Sequence, residues 1–528
     1  MESTPSPHWR WAPLGLIAGF LVLGIGVWEP MPPGIWHDDG VYVLLGKSLA
    51  EGEGLRYLGV PGAPLAPKFP PLFPALLAVV WLIFPSFPEN VSILGSVNIV
   101  LTAIAGGVFF LYLRSVLGLS DRFALFSTGL IWISAHLWRA ASVPLSEPLF
   151  LLLLLLALWA GGRMESRKGS APVLWFLLAG GLAVYARTLG VGLFAAGVIS
   201  LFMRWRRRDA LLLGLGAVGC LLPWVVWSGW AAASIPEPFR DVLGPYGGWL
   251  VAQVRQDPTG FMQFALANAG HLLARTVTLN LPGIPGPQLL YGLVMAPIAL
   301  LGLWEIFRRS RVLALTLVFS LGILMIWPFQ EIRLLVPFQP LLILSLIMGM
   351  WRLLKKTGGF PLAKGALSVA AVSWVLLFSG MSLYRLSTGW TSASYRIRAE
   401  ALLDAVRAVN ENTPTAAVVG APEMWAGLNL FTGRTTLPSA RFRPLSGNEP
   451  IYGTPQQQYQ TWIQGGVSHV LVEHGGQVHG AALDRIDALC PPGTIQVLDI
   501  QPGRILVGLH WDGACQQDVL EEGGQPPV

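Results

Sequence analysis

Charge is scarce in this chain. Only 12% of its 528 residues are Asp, Glu, Lys or Arg, against 53% hydrophobic, and the mean hydropathy is +0.57. A soluble domain carries roughly 25% charged residues, so an ordinary soluble fold is excluded. Cysteine is scarcer still, at three residues, with no CxxC pair and no His-rich spacing, which leaves no signal for structural zinc. Cys220 falls inside an apolar run and reads as a small core residue. Cys490 and Cys515 lie in a polar tail and could pair if that tail sits in an oxidising compartment. No internal repeat of fixed period is visible. The last residues, EEGGQPPV, have the composition of a disordered end.

What the chain has in quantity is uninterrupted apolar sequence. Runs of about 18 residues or more, each long enough for a bilayer, recur along the first three-quarters. The first, 11–28, is bracketed by Trp11 and Trp28 as at two membrane interfaces. It lacks a small-residue cleavage site and reads as a retained anchor rather than a signal peptide. The net charge of +6 and pI near 9.3 would suit nucleic acid. The basic residues instead cluster at the ends of apolar segments, which is a topology signal.

The basic clusters are RMESRK at 163–168, RWRRR at 204–208, RRSR at 308–311 and RLLKK at 352–356, with Arg10, Arg114 and Arg122 as weaker signals. All fall on the cytoplasmic face if the four-proline segment 69–85 is a juxtamembrane element rather than a span. The expected spans are then 11–28, 91–113, 121–138, 148–161, 171–186, 189–203, 210–229, 288–307, 312–329, 334–351 and 365–384, about 11 transmembrane helices. The N-terminus is inside and the C-terminus outside. The long external loop 231–287 predicts two amphipathic pieces broken at Asp257-Pro258, lying on the outer surface. From about Trp390 the composition becomes that of a small soluble domain. YRIRAEALLDAVRAVNENT predicts a helix, and AAVVG, HVLVE, TIQVLDI and RILVGLH predict short buried strands with helical stretches between them. The expected fold class is an α-helical polytopic membrane protein, 1–389, followed by an extracytoplasmic α/β domain, 390–528.

This topology gathers costly polar residues on the outer face. Asp38, Asp39 and Lys68 lie in the first external loop, Arg139 and Glu147 in the second, Arg187 at the next outer turn, and Glu331 and Arg333 before a late span. An ionisable group costs roughly 2.5–3.5 kcal/mol at a membrane helix centre, so a set on one side points to an enclosed polar site. Each residue taken alone has a plainer reading. Asp38 or Asp39 could cap an amphipathic helix carrying Tyr42, Leu45 and Leu49. Ser146-Glu147-Pro148 is a good helix start. Lys68 and Arg333 could be snorkelling anchors. Glu473, His474 and His479 are faintly metal-like but sit in a turn sequence, and EGEGLR has no preceding strand and is no phosphate loop.

The order of short motifs resembles the GT-C membrane glycosyltransferases, in particular proteins similar to protein O-mannosyltransferases and the lipid A aminoarabinose transferase. Asp38-Asp39-Gly40-Val41-Tyr42 follows the first span; a helix ending in A-x-G follows, then Lys68-Phe69-Pro70-Pro71, Ser146-Glu147-Pro148 and Arg333-Leu334-Leu335-Val336-Pro337. The likeness covers about the first 390 residues in layout. Two departures are plain: Asp39 stands where Glu is usual, and the late motif lacks its tyrosine.

The resemblance implies transfer of a sugar from a polyprenyl phosphate to a hydroxyl acceptor (protein, lipid or glycan) at the outer face of a bacterial inner membrane. It implies Asp38 as the base, Lys68, Arg187 and Arg333 around the donor phosphate, and Tyr42, Arg139 and Glu331 near substrate. Asp39 and Glu147 would orient the acceptor or hold a divalent cation such as Mg or Mn. A transporter or flippase, or a non-catalytic envelope-assembly scaffold, are the rival readings. Against a transporter, no inverted repeat is visible and the charges sit at one face rather than mid-membrane.

Overall fold

The computed structural model describes residues 9–516 apart from 168, 246, 282–285, 328, 330, 390–392, 422–423, 439–453, 474–476, 502–503 and 514. The terminal EEGGQPPV and His474 lie outside the described residues. By its contacts the chain divides into two compact units, neither continuous in sequence. One is Met1–Pro30, Gly95–Trp224 and Val251–Thr391; the other is Met31–Leu94, Val225–Leu250 and Ser392–Val528.

The helices follow the apolar runs. Among the described residues, Val91–Ser115, Glu147–Ser166, Arg207–Ala233, Gln288–Arg309, Ile332–Gly359 and Pro361–Ser387 are long and apolar enough to cross a membrane. The other five expected spans are shorter: Ala12–Gly26, Asp121–Trp132, Ser170–Ala186, Val191–Phe202 and Arg311–Met325. Length and composition therefore support six crossings, and the count of eleven does not rest on them. Segment 121–138 is a correction, because it is not one helix. It stops at Trp132 and restarts as Ala135–Ala141. Ser134 is extended there and donates to the Gln339 side chain (3.0 Å), while Trp138 Nε1 caps the freed Trp132 carbonyl (2.7 Å). The break after Gln256 falls where expected, between Gly247–Gln256 and Pro258–Asn280, with the Asp257 side chain accepting from Gly260 N.

In the first unit the four basic clusters pack around two acids, the buried Glu165 and the half-buried Glu305. Glu165 accepts from Ser200 Oγ (2.6 Å), Ser310 Oγ (3.1 Å), Arg311 N (3.0 Å) and Val312 N (3.3 Å), and pairs with Arg204 (3.6 Å). Arg206 donates to the carbonyls of Met164 and Arg167. Glu305 pairs with Arg309 (3.3 Å) and Arg352 (2.5 Å). Such a knot at one end of the helices is what a shared membrane face requires. Glu165→Ala would orphan four donors and a guanidinium, at a cost of roughly 3–5 kcal/mol. Its thermal unfolding midpoint in detergent is expected to fall by several degrees, and an unchanged midpoint would contradict this account.

In the second unit, segment 69–85 forms Leu72–Ile83, a helix of 12 residues. At 1.5 Å per residue it spans about 18 Å, short of a hydrocarbon core of about 30 Å. Val79, Leu82, Ile83 and Phe84 stay exposed on it. The same unit carries a five-stranded sheet: β1 Val418–Ala421, β2 Thr435–Pro438, β3 His469–Glu473, β4 Ile495–Gln501 and β5 Arg504–Leu509, in the order β2-β1-β3-β5-β4. β1 runs parallel to β2 and β3, and β5 lies antiparallel between β3 and β4. Leu437, Val470, Leu471 and Leu506 of the sheet are buried, as are Leu402 of helix Ala393–Asn412 and Trp462 of helix Pro455–Gln464, whose indole lies beside Gly420 of β1. Cys490 and Cys515 form a disulfide, with Cα atoms 5.1 Å apart.

Candidate active site

The acidic pair sits on a constrained turn in the second unit. Asp38 N donates to the Trp36 carbonyl (2.8 Å), and His37 between them has φ 65° and ψ −65°. This is a three-residue γ-turn of the rare, strained sense, so something must hold it. The Asp39 carboxylate does, accepting from Gly34 N (3.0 Å) and Trp36 N (2.9 Å), with the residue wholly buried. Arg398 adds a guanidinium 5.3 Å over the Trp36 ring.

Helix Asp38–Ala50 starts directly after this turn, with His37 in the capping position and no side-chain cap. Neither aspartate is therefore the N-cap; both lie in the first turn, where their charge meets the positive end of the helix dipole. The helix is also not amphipathic. Val41, Tyr42, Val43, Leu44 and Leu45 are all buried, because Leu72–Ile83 packs along it and Trp81 Nε1 donates to the Val43 carbonyl (3.1 Å).

Burial separates the two acids. Asp39 loses hydration, which raises its pKa to about 6 against the lowering effect of the Gly34, Trp36 and Gly40 amides; the Asp38 charge adds a smaller upward push. Asp38 is only half-buried. Tyr57, buried nearby, has its phenol pushed far up, first by burial and then by the Asp38 charge and Tyr42. Tyr42 packs edge-on against Phe69 and Phe73, with centroids at 5.1 Å in both cases. Lys68 is half-buried, its ammonium 5.8 Å from the Phe69 ring centre, and the preceding Pro67 carbonyl accepts from Ser228 Oγ (2.8 Å).

The raised Asp39 pKa gives a sign-definite expectation. The folded state holds the Asp39 proton between the unfolded value near 3.8 and about 6. Its favourable contribution is complete below the unfolded value and is lost as pH rises through about 6. Asp39→Asn removes that dependence, so the unfolding midpoint of the wild type should fall relative to the mutant between pH 4 and 6. Parallel curves would contradict the burial of this carboxylate.

In the first unit, Glu147 opens helix Glu147–Ser166 and is 1% exposed. Arg187 pairs with it at 2.8 Å, and Arg333 lies at 4.0 Å while pairing with Glu331 at 3.2 Å. Ser146 stands in the capping position but makes no cap; its hydroxyl accepts from Arg187 Nη1 (3.1 Å). Glu147, Arg187, Glu331 and Arg333 thus form one ion-pair chain, two carboxylates with two guanidiniums. Arg139 is half-buried on Ala135–Ala141, which packs on both Glu147–Ser166 and Ile332–Phe338.

Sequence reasoning missed several neighbours. His37 carries the strained turn, and Tyr57 feels the Asp38 charge. Glu331 lines a crevice with Asn268, His271 and Arg275, the last two sharing a face of Pro258–Asn280 by their i, i+4 spacing. That spacing is visible in the sequence; the strain at His37 leaves no signal there. Of the two carboxylates considered for a divalent cation, Asp39 is bonded to backbone amides and Glu147 turns Oε1 to Arg187 and Arg333. Among the described residues no three His, Cys, Asp or Glu side chains are grouped as metal ligands.

The fold has solved counterparts along nearly its whole length, and among the described residues six helices are long and apolar enough to cross a membrane. It is similar to the crystal structure of ArnT from Cupriavidus metallidurans bound to undecaprenyl phosphate, at 14% identity and a TM-score of 0.55, over 95% of this chain and 98% of that one. The apo state of the same protein matches at 15% identity, with the same TM-score and coverage. Arabinofuranosyltransferase AftD from Mycobacteria aligns at 13% identity over 97% of this chain and 40% of its own, with a TM-score of 0.42, too low to define a shared fold. No family model and no curated protein matches the sequence.

Proposed function

We propose that the protein transfers a sugar from a polyprenyl-phosphate donor to a hydroxyl acceptor at the outer face of a bacterial inner membrane, with inversion. The observation that carries this reading is the acidic turn: Asp39 is fixed by backbone amides and Asp38 is left half-buried beside it. A GT-C fold, similar along nearly its whole length to a protein crystallised with undecaprenyl phosphate, supports the donor class.

The acceptor oxygen attacks the anomeric carbon, the bond from that carbon to the phosphate oxygen breaks, and the hydroxyl proton passes to Asp38. A single displacement inverts the centre, and one carboxylate suffices because phosphate departs without protonation. Lys68 is assigned to the departing phosphate, as an electrostatic partner whose effect grows where water is thin. Arg187 and Arg333 are proposed as further phosphate-binding residues. Both already neutralise carboxylates, so they would contribute hydrogen bonds more than net charge. Tyr42, Arg139 and Glu331 are proposed to contact substrate, and Asp39 and Glu147 to orient the groups around them. No step is assigned to a divalent cation.

The test is donor class. Purified protein should consume a polyprenyl-phosphate sugar and leave nucleotide sugars untouched. Turnover of a nucleotide sugar without any lipid donor would overturn the proposal.

A further inference from the structure

Within the second unit, the segment after Ser392 grips the acidic turn and the loop before Lys68 at two separate points. The first is backbone against backbone. Gly34 has φ +107°, and a Cβ there would stand 2.4 Å from Gly427 Cα and 2.7 Å from Gly427 N. Gly34 is also the residue whose N–H holds Asp39. Beside this contact Trp425 meets the His37 ring edge-on at 6.0 Å and the Tyr57 ring at 6.1 Å. Ala426 Cβ faces Gly40, the residue after the pair.

The second point is Gly59, inside the loop closed by the Arg56–Leu65 bridge and leading to Lys68. Its carbonyl accepts from Thr436 N at 2.7 Å. The Thr436 hydroxyl lies 3.2 Å from the same carbonyl and 2.9 Å from that of Trp425, tying both contacts to one side chain. Asn429 leaves room only for glycine at this position, since a Cβ would come within 2.6 Å of its side chain.

We propose that helix Trp425–Thr432 and strand β2 are a positioning clamp for the transfer reaction, setting the turn that presents Asp38 and the loop that presents Lys68. The inference rests on reading Asp38 as the base. Trp425, Gly427 and Thr436 touch neither donor nor acceptor in this account; they act through residues 34–40 and 59. Catalysis is sensitive to such placement, because misplacement by about 1 Å can cost about 100-fold. The exposed apolar belts and the Glu165 knot, by contrast, are accounted for by the membrane fold.

The experiment uses the full chain in detergent with the polyprenyl-phosphate sugar that the wild type consumes. It compares Thr436→Val, Thr436→Ser, Gly427→Ala and Asp38→Asn by kcat, donor KM and unfolding midpoint. Hydrogen exchange of the peptide covering 31–50 is followed in parallel. Thr436→Val, which keeps the shape and loses the hydroxyl, should lower kcat roughly tenfold with little change in donor KM or midpoint. Thr436→Ser should restore kcat. Gly427→Ala, whose new methyl would press on Leu402, the Pro33 carbonyl and Gly34 at 3.0–3.1 Å, should lower kcat and raise exchange around the turn.

Wild-type kcat in both Thr436→Val and Gly427→Ala, with Asp38→Asn inactive, would overturn the clamp and leave the base assignment standing. Loss of kcat only in step with the midpoint, without rescue by Thr436→Ser, would also overturn it. An active Asp38→Asn would instead remove the base assignment on which the clamp depends.

Discussion

Asp38→Asn should abolish sugar transfer while the protein remains folded. Asparagine keeps the shape of the side chain but cannot take the acceptor proton. Loss of a general base typically costs about 100- to 10,000-fold, and turnover should fall into or below that range. Stability should barely move. The first-turn place of Asp38 at the positive end of the helix dipole is worth roughly 0.3–1 kcal/mol. Its neighbour carries the structural load, because Asp39 holds Gly34 and Trp36. The two adjacent acids therefore separate by experiment: Asp38→Asn removes rate, and Asp39→Asn alters the pH dependence of stability. Near-normal turnover in Asp38→Asn would remove the proposed mechanism.

The second large effect is expected at Lys68. The residue lies between Pro67, whose carbonyl is held by Ser228, and the buried Phe69-Pro70, so its backbone is fixed before any ligand binds. A preorganised cation at a departing phosphate contributes most where charge accumulates. Removing one such electrostatic partner costs about 100- to 1,000-fold in kcat. Lys68→Ala should fall in that range and weaken donor use, and Lys68→Arg should recover part of the rate because it returns the charge on a differently shaped head group. An unchanged donor dependence in Lys68→Ala would make the residue an interfacial anchor and nothing more.

Local signals in the sequence were the reliable ones. The helix break after Gln256 followed from Asp257-Pro258, and four strands of the sheet followed from short apolar runs. The pairing of Cys490 with Cys515 was one of two outcomes left open. What the sequence hid depends on partners far along the chain. Strand β2 has four residues and ends in proline, too short for a pattern to register. The break after Trp132 is fixed by Gln339 and Trp138 rather than by a local glycine or proline.

The site divides in the same way. The Asp38-Asp39 pair, Lys68 and Ser146-Glu147-Pro148 were visible as short motifs, and each could equally have been a cap or an anchor. The resemblance gave the two aspartates different roles, and the structure adds that Asp39 turns back to amides at 34 and 36 that no helical or strand periodicity marks. The contact between Gly34 and Gly427 joins residues that no periodicity connects, so the part played by the C-terminal segment was beyond sequence reasoning.

The most direct test of the central claim is a transfer assay with purified wild type and Asp38→Asn side by side, offered a panel of radiolabelled polyprenyl-phosphate sugars. The account predicts that the wild type consumes a member of the panel, releasing polyprenyl phosphate in step with glycosylated product, and that Asp38→Asn binds the same donor without turning it over. Equal turnover by the two proteins, or no consumption of any lipid-linked sugar by the wild type, would contradict it.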